Sequence, residues 1–292
     1  MIQCFIKHEV SSIFEDYALP KLISVSKIDS HFRAHPRLLH SHEDKLEILF
    51  VRSGTGFYIV EEKKYPLQTG DIIICNEGVL HDDVPEHCQN LNTYCLTLTD
   101  VKITGLPKNC LARKDACPHI QALEYSDMLE NLFSIVYTLL ASDTEQTVET
   151  CSYIACGILT LVYEIALRSR TEPDHMDKKA NLLSKEIKRY IDTHYNEDLT
   201  LKTIGEALHI NPYYVAHVFK DNIGFSPIQY ILHRRIGEAQ SLLIHTEYSI
   251  TTIASMVGYN NLSHFNSMFA KYVQMSPSEY RKNYTNKKPG KK

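Results

Sequence analysis

The strongest constraint in this sequence is an internal repeat. "TLKTIGEALHINPYYVAHVFKDNIGFSPIQY" (200–230) aligns with "SITTIASMVGYNNLSHFNSMFAKYVQMSPSEY" (249–280), at an offset of 49 residues before the central turn and 50 after it. Ile204 matches Ile253, and Val215, Val218 and Phe219 match Phe265, Met268 and Phe269. Ser226, Pro227 and Tyr230 match Ser276, Pro277 and Tyr280. Apolar positions that recur at helical spacing need the same kind of core twice, so both copies fold to one kind of unit. Turn residues split each copy into a short helix, a tight turn and a second helix. Between the copies, "PIQYILHRRIGEAQSLLIH" (227–245) reads as one helix. At ~1.5 Å per residue it is on the order of 25–30 Å long, enough to hold two recognition helices about one DNA turn apart.

In the first copy the second helix starts near Pro212, a favoured first helical position. Val215, Val218 and Phe219 point to the core, which leaves Tyr213, Ala216, His217 and Lys220 on the opposite face. In the second copy Gly258 suits the turn. Phe265, Met268 and Phe269 go inward there, and Ser263, Asn266 and Ser267 face out with His264 beside them. Such faces can enter a major groove. Charge agrees with this. Residues 178–292 carry 16 Lys and Arg against 9 Asp and Glu, a net +7, which leaves −11 for residues 1–177 of a chain whose total is −4. Only the C-terminal end is suited to a polyanion. Phosphate contacts are expected from Lys220, Arg234, Arg235, Lys271, Arg281 and Lys282.

"IASMVGYNNLSHFNSMFAKYVQMSPSEYR" resembles the signature of the AraC/XylS transcriptional regulators. The resemblance implies two helix–turn–helix units reading adjacent major-groove segments of double-stranded DNA. By position, the base readers are Tyr213, Ala216 and His217 in the first unit and Ser263, His264 and Ser267 in the second; Lys220, Asn266 and Lys271 complete the DNA-binding set. RNA polymerase is a candidate partner. The chain departs from the family pattern in places. Ala270 replaces the usual Lys after Phe269, although Lys271 follows, and Gln274 replaces the usual Gly. His217 and Ser267 stand where Arg is frequent, which leaves the preferred bases open.

The first 118 residues have a different texture. "KLISVSKI", "LEILFVR", "GFYIVEE", "DIIICN" and "TYCLTLT" are β-branched and aromatic runs broken by "SGTG", "QTGD" and "NEG". Short, closely spaced strands indicate a barrel or sandwich. "HSHEDKLEILFVRSG" (40–54) fits the first cupin motif at His40, His42, Glu47 and Gly54, with both histidines expected at the start of a strand. "GDIIICNEGVLH" (70–81) resembles the second at Gly70, Gly78 and His81, with Asn76 where Pro is usual and Pro85 where the motif ends in Asn. His40, His42, Glu47 and His81 therefore occupy the positions that bind metal in metal-dependent cupins. Two readings stay open: a divalent-metal site, or the lining of a pocket for a small-molecule effector. Similarity to AraC-type regulators implies the second, with a sugar or other metabolite as effector, no required cofactor and no catalysis. A metal-dependent cupin sensor or enzyme with a DNA-binding appendage is the alternative, and a low-specificity, nucleoid-type DNA binder is another.

Between these regions the period changes. Leu129, Leu132, Val136 and Leu139 form one helical stripe, and Cys151, Ile154, Ile158, Leu161 and Ile165 another. These helices can pack on the barrel, form a dimer seam, or do both. The expected fold is α+β: a cupin-like barrel (1–118), a helical dimerisation segment (119–170), a linker (171–181), a double helix–turn–helix domain (182–285) and a basic tail (286–292). "CSYIACGILTLVYEIAL" (151–167) contains Glu164 and is short for a bilayer, so it reads as a buried helix rather than a membrane span. The N-terminus has no export-signal pattern, and the eight cysteines form no CxxC pair, so reduced thiols in a cytoplasmic homodimer are expected.

Overall fold

The computed structural model describes residues 11–29, 38–61, 63–83, 90–114, 116–142, 145–169 and 178–284. The N-terminal half is built from strands β1 (Lys21–Ile28), β2 (Leu46–Ser53), β3 (Thr55–Val60), β4 (Lys63–Gln68), β5 (Asp71–Cys75), β6 (His81–Asp83), β7 (Asn92–Thr99) and β8 (His119–Gln121). They form two antiparallel sheets, ordered β1-β7-β2-β5-β8 and β4-β3-β6. The expected cupin-like domain is present, and its two sheets are not closed into one continuous cylinder. The β-branched and aromatic runs of the sequence form β1, β2, β3, β5 and β7. No such run marks β4, whose Pro66 argues against a strand but is tolerated at a sheet edge, or the short β6 and β8.

Strand β2 is apolar on both faces because it has a core on each side. Leu46, Ile48 and Phe50 turn toward the helices, while Leu49 and Val51 turn into the space between the sheets with Tyr58, Val60, Leu67, Ile73 and Leu91. Gly54 makes the turn into β3 at φ +91, where a Cβ would stand 2.0 Å from the Asn90 carbonyl oxygen. Helices α1 (Ser126–Ala141) and α2 (Glu145–Arg168) cover the outer face of the larger sheet. The buried stripe of α1 is Leu129, Phe133 and Val136, with Leu132 and Leu139 only partly covered. Phe133 displaces Leu132 because its ring stacks between Phe50 and Tyr94, at 5.7 and 5.6 Å. Helix α2 is long and apolar enough to cross a membrane by length and composition, yet Cys151, Ala155, Ile158, Leu159, Val162 and Ile165 are buried against the sheet core.

The C-terminal half contains α3 (Lys178–His194), α4 (Leu201–Leu208), α5 (Pro212–Ile223), α6 (Pro227–His245), α7 (Ile250–Met256), α8 (Leu262–Val273) and α9 (Pro277–Tyr284). The repeat is structural as well as sequential. Asn211 and Asn261 cap α5 and α8. Ser226 caps α6, and Ser276 binds the Glu279 amide at the start of α9. Phe219 meets Tyr230 edge-on at 5.3 Å, and Phe269 meets Tyr280 the same way at 5.6 Å. Each copy carries a small residue on its first helix. A Cβ on Gly205 would stand 2.5 Å from the Ile210 carbonyl oxygen, and Ala254 occupies the matching position. The expected linker and tail fall largely on residues 171–177 and 286–292, which lie outside the described residues, as do Cys4, Pro85 and Cys88.

The two halves share a seat on α6. Leu38 packs into the core of the second helix–turn–helix unit and Leu39 into that of the first. Both approach Gly237, where a Cβ would stand 2.2 Å from the Leu39 carbonyl oxygen and 2.7 Å from that of Leu38. The Leu38 amide donates to Gln240 Oε1 at 2.8 Å. Ile59 and Leu80 of the cupin-like domain join Leu39 among Ile187, Ile191, Phe219, Tyr230 and Ile231. Lys188 of α3 bridges Glu61 at 2.9 Å and Asp192 at 3.0 Å, and Asp192 also accepts from Tyr230 at 2.9 Å. Gly237→Ala is expected to destabilise the chain by about 1–3 kcal/mol, because the close contacts are to backbone that cannot rotate away. Chemical denaturation of the two proteins measures it.

Candidate DNA-reading face and sensor cluster

Two surfaces carry chemistry. The first is the outer face of α5 and α8. Tyr213, His217 and Lys220 are exposed on α5, with Ala216 half-buried among them; Ser263, His264, Asn266, Ser267 and Lys271 are all exposed on α8. The opposite faces hold Val215, Val218 and Phe219, and Phe265 and Phe269, as the periodicity requires, with Met268 partly covered. Tyr213 is 80% exposed and Tyr214 52%, so a second aromatic stands on the first face beside the one read from the sequence. Two other features were not legible there. His217 Nδ1 contacts Asp221 at 2.8 Å, one helical turn on, which sets its ring and places a carboxylate at the edge of the face. Gln274 ends α8 in the left-handed conformation at φ 60, so it fills the place of the usual glycine at some backbone cost.

Three of the cations expected at phosphates are committed elsewhere. Arg234 is 7% exposed and faces Asp192 at 3.4 Å. Arg235 donates to the Tyr195 and Glu197 carbonyls, at 2.6 Å each. Arg281 donates to the carbonyls of Leu243, Thr246 and Tyr248, closing the end of α6. The sequence registers their charge but not the carboxylate and the carbonyls that claim it. Lys220, Lys271 and Lys282 remain exposed.

The second surface is the histidine cluster. His40 and His42 precede β2 rather than lying on it. His40 forms a single antiparallel bridge with His81, at 3.1 and 2.9 Å, and His42 stands in the loop beyond. All four expected residues nevertheless converge. One donor atom from each of His40, His42, Glu47 and His81 falls within 4.8 Å of every other. His42 Nε2 and His81 Nε2 each approach a different Glu47 oxygen at 3.1 Å. The side chains of His42, Glu47 and His81 are 8%, 10% and 2% exposed. Burial works to raise the Glu47 carboxyl, but the hydrogen bonds and charge of His42 and His81 hold it well below the usual carboxylate range. Burial works to lower His81, yet Cys75 and Glu47 beside it hold it well above the usual imidazole range. Cys75 and Thr97 belong to the site although the motifs did not single them out. They sit opposite Glu47 on the two flanking strands, and Thr97 Oγ1 donates to Glu47 at 3.3 Å. Only strand pairing brings them there.

A double helix–turn–helix domain seated on a cupin-like domain defines a DNA-binding regulator with its own sensor module. Comparison with known proteins agrees with that class. Residues 22–151 match the AraC-like ligand binding domain, and residues 204–283 match a helix-turn-helix domain. The HTH-type transcriptional regulator YisR of Bacillus subtilis (strain 168) is 32% identical over 252 residues, covering 81% of this chain and 85% of its own length. The HTH-type transcriptional regulator YdiP of Escherichia coli (strain K12) is 28% identical over 249 residues, covering 85% and 82%. The lactose operon transcription activator of Staphylococcus xylosus is 23% identical over 239 residues, covering 80% and 83%. The chain belongs to the AraC family of transcriptional regulators, with a ligand-binding N-terminal domain and a DNA-binding C-terminal domain.

The geometry separates cations by role. Lys220→Ala and Lys271→Ala are each expected to reduce the slope of log affinity against log salt by about 1. Arg281→Ala is expected to leave that slope unchanged and to cost about 1–3 kcal/mol of stability, from the carbonyls it abandons. Salt-dependent anisotropy titrations and denaturation curves read the two quantities.

Proposed function

We propose that this protein is a one-component, sequence-specific transcription regulator. A small effector held at the His40, His42, Glu47 and His81 end of the sensor domain changes how that domain sits on α6. The observation that carries this reading is the seat itself, because the sensor and both DNA-reading units share cores through Leu38 and Leu39. Tyr213, Ala216 and His217 read bases in one major-groove segment, and Ser263, His264 and Ser267 in the next. Lys220, Asn266 and Lys271 hold the phosphates alongside. Short polar groups on α8 favour contacts to several bases through water, where an Arg would commit to guanine.

The regulator acts in the cytoplasm as a homodimer, with RNA polymerase as its onward partner, and it is not an enzyme. Met128 and Ile135 of α1 and Tyr153 and Leu167 of α2 are exposed apolar side chains on the helical pair, and they supply the dimer seam. A cluster packed this closely against the DNA-binding domain suits signalling better than turnover.

His217→Ala is expected to weaken binding to a preferred DNA site by about 1–3 kcal/mol and to relax discrimination at one base position. Selection of sites from random DNA, followed by affinity measurement with parent and variant, tests this. Unchanged affinity together with unchanged base preference would remove His217 from the reading face.

A further inference from the structure

We infer that the two recognition helices do different work. Asp221 fixes the tautomer of His217, so that α5 reads an exocyclic amino group, cytosine N4 or adenine N6, while α8 carries a phosphate-binding cation, Lys271, at the matching position. The inference rests on the regulator reading above, in which His217 faces a base, and names the chemistry which that residue selects.

The repeat sets up the contrast. Val215 matches Phe265 and Phe219 matches Phe269, all four fully buried. The same register sets Asp221 of α5 against Lys271 of α8, 50 residues on. The sequence of buried and exposed residues is the same along 221–230 as along 271–280, so the two side chains leave equivalent points of equivalent helices. Both are exposed, and their charges are opposite. A cation at that point suits the phosphate backbone. A bare carboxylate there repels it and weakens binding to every sequence alike. Asp221 is not bare, because an imidazole of the reading face is already on it.

The contact decides which way the ring is protonated. His217 and Asp221 stand one helical turn apart, with His217 Nδ1 2.8 Å from Asp221 Oδ2. An ionised carboxylate can only accept, so Nδ1 carries the proton, and in the neutral ring Nε2 is an acceptor. On the major-groove edge the donors are adenine N6 and cytosine N4, whereas guanine N7 and O6 and thymine O4 would set a lone pair against Nε2. A ring released from Asp221 can carry its proton on Nε2 instead and suit guanine equally well. Tyr213 flanks the same ring from the N-terminal side, with ring centroids 6.5 Å apart. Asp221 lies near the end of α5, which closes at Ile223, and eight residues beyond Tyr213. That is roughly 12 Å along the axis, while base edges are met by the N-terminal residues of a recognition helix. Asp221 is therefore a positioning residue that acts through His217.

The test is site selection from random DNA with the full-length protein, followed by affinity measurement on the selected site and its single-base variants. One position in the half read by α5 should prefer cytosine or adenine over guanine or thymine on the contacted strand, by about tenfold. His217→Ala should abolish that preference. Asp221→Ala should reduce it to about twofold or less, and Asp221→Glu, which keeps a carboxylate one turn on, should restore it. Because Asp221 acts through His217, the double variant should lose no more than His217→Ala alone. The two side chains are 62% and 59% exposed, so these changes leave the core of the unit intact. Lys271→Ala, at the matching position, should weaken all sites together and leave every base preference in place. If Asp221→Ala raises affinity for all sites alike and keeps the preference, the carboxylate is only a charge and the inference is overturned. A guanine preference at the His217-dependent position would overturn it too, as would a further loss in the double variant. In those three cases the base-reading role of His217 still stands. If His217→Ala leaves every base preference unchanged, that role fails and the inference with it, and absence of DNA binding by the parent would remove the regulator reading itself.

Discussion

The contact on which the rest depends is the crossing of Leu38–Leu39 over Gly237. Two consecutive side chains of the sensor segment enter two different cores, one in each DNA-reading unit. The approach is close enough that only a residue without a Cβ fits on α6 at that point. Everything functional is arranged around this crossing. The first unit lies on one side and the second on the other, α6 runs between them, and the histidine cluster begins with the very next residue, His40.

The consequence is that the sensor and the DNA reader are not beads on a string. A flexible tether alone would let the two domains sample many orientations, and occupancy of one could not bias the other. Here the sensor domain supplies Leu39, Ile59 and Leu80 to a core otherwise made of α3, α4, α5 and α6. The polar groups at the rim reinforce it, because Lys188 is shared between Glu61 of the barrel and Asp192 of α3. Changes in the sensor domain are thus changes in the packing of the first unit. The second unit is reached through Leu38 and through Arg235, whose guanidinium lies 5.5 Å from the Tyr259 ring while it caps the loop after α3.

Much of this was legible in the sequence, for identifiable reasons. The repeat specified both helix–turn–helix units and the 227–245 helix, because Phe219 with Tyr230 and Phe269 with Tyr280 impose the same edge-on packing twice. The spacing of His40, His42, Glu47 and His81 specified the cluster, although the first two lie on a bridge and a loop and not on a strand. What the sequence concealed depends on contacts between distant segments. Cys75 and Thr97 join the cluster through strand register. Arg234, Arg235 and Arg281 look like phosphate ligands until the carboxylate and carbonyls that hold them are seen. Leu38 and Leu39 sit beside a motif that does not include them, yet they join the two halves.

The central claim is that the sensor completes the cores of the DNA-binding domain. Native-state hydrogen exchange on the full chain, compared with residues 178–284 alone, tests it most directly. The account expects the amides of α3, α5 and α6 to lose protection in the fragment, most strongly around Ile187, Phe219 and Gly237, where Leu38, Leu39 and Leu80 have been withdrawn. Equal protection of those helices in the fragment and in the full chain would contradict it, and would mean that the DNA-binding domain is complete without its sensor.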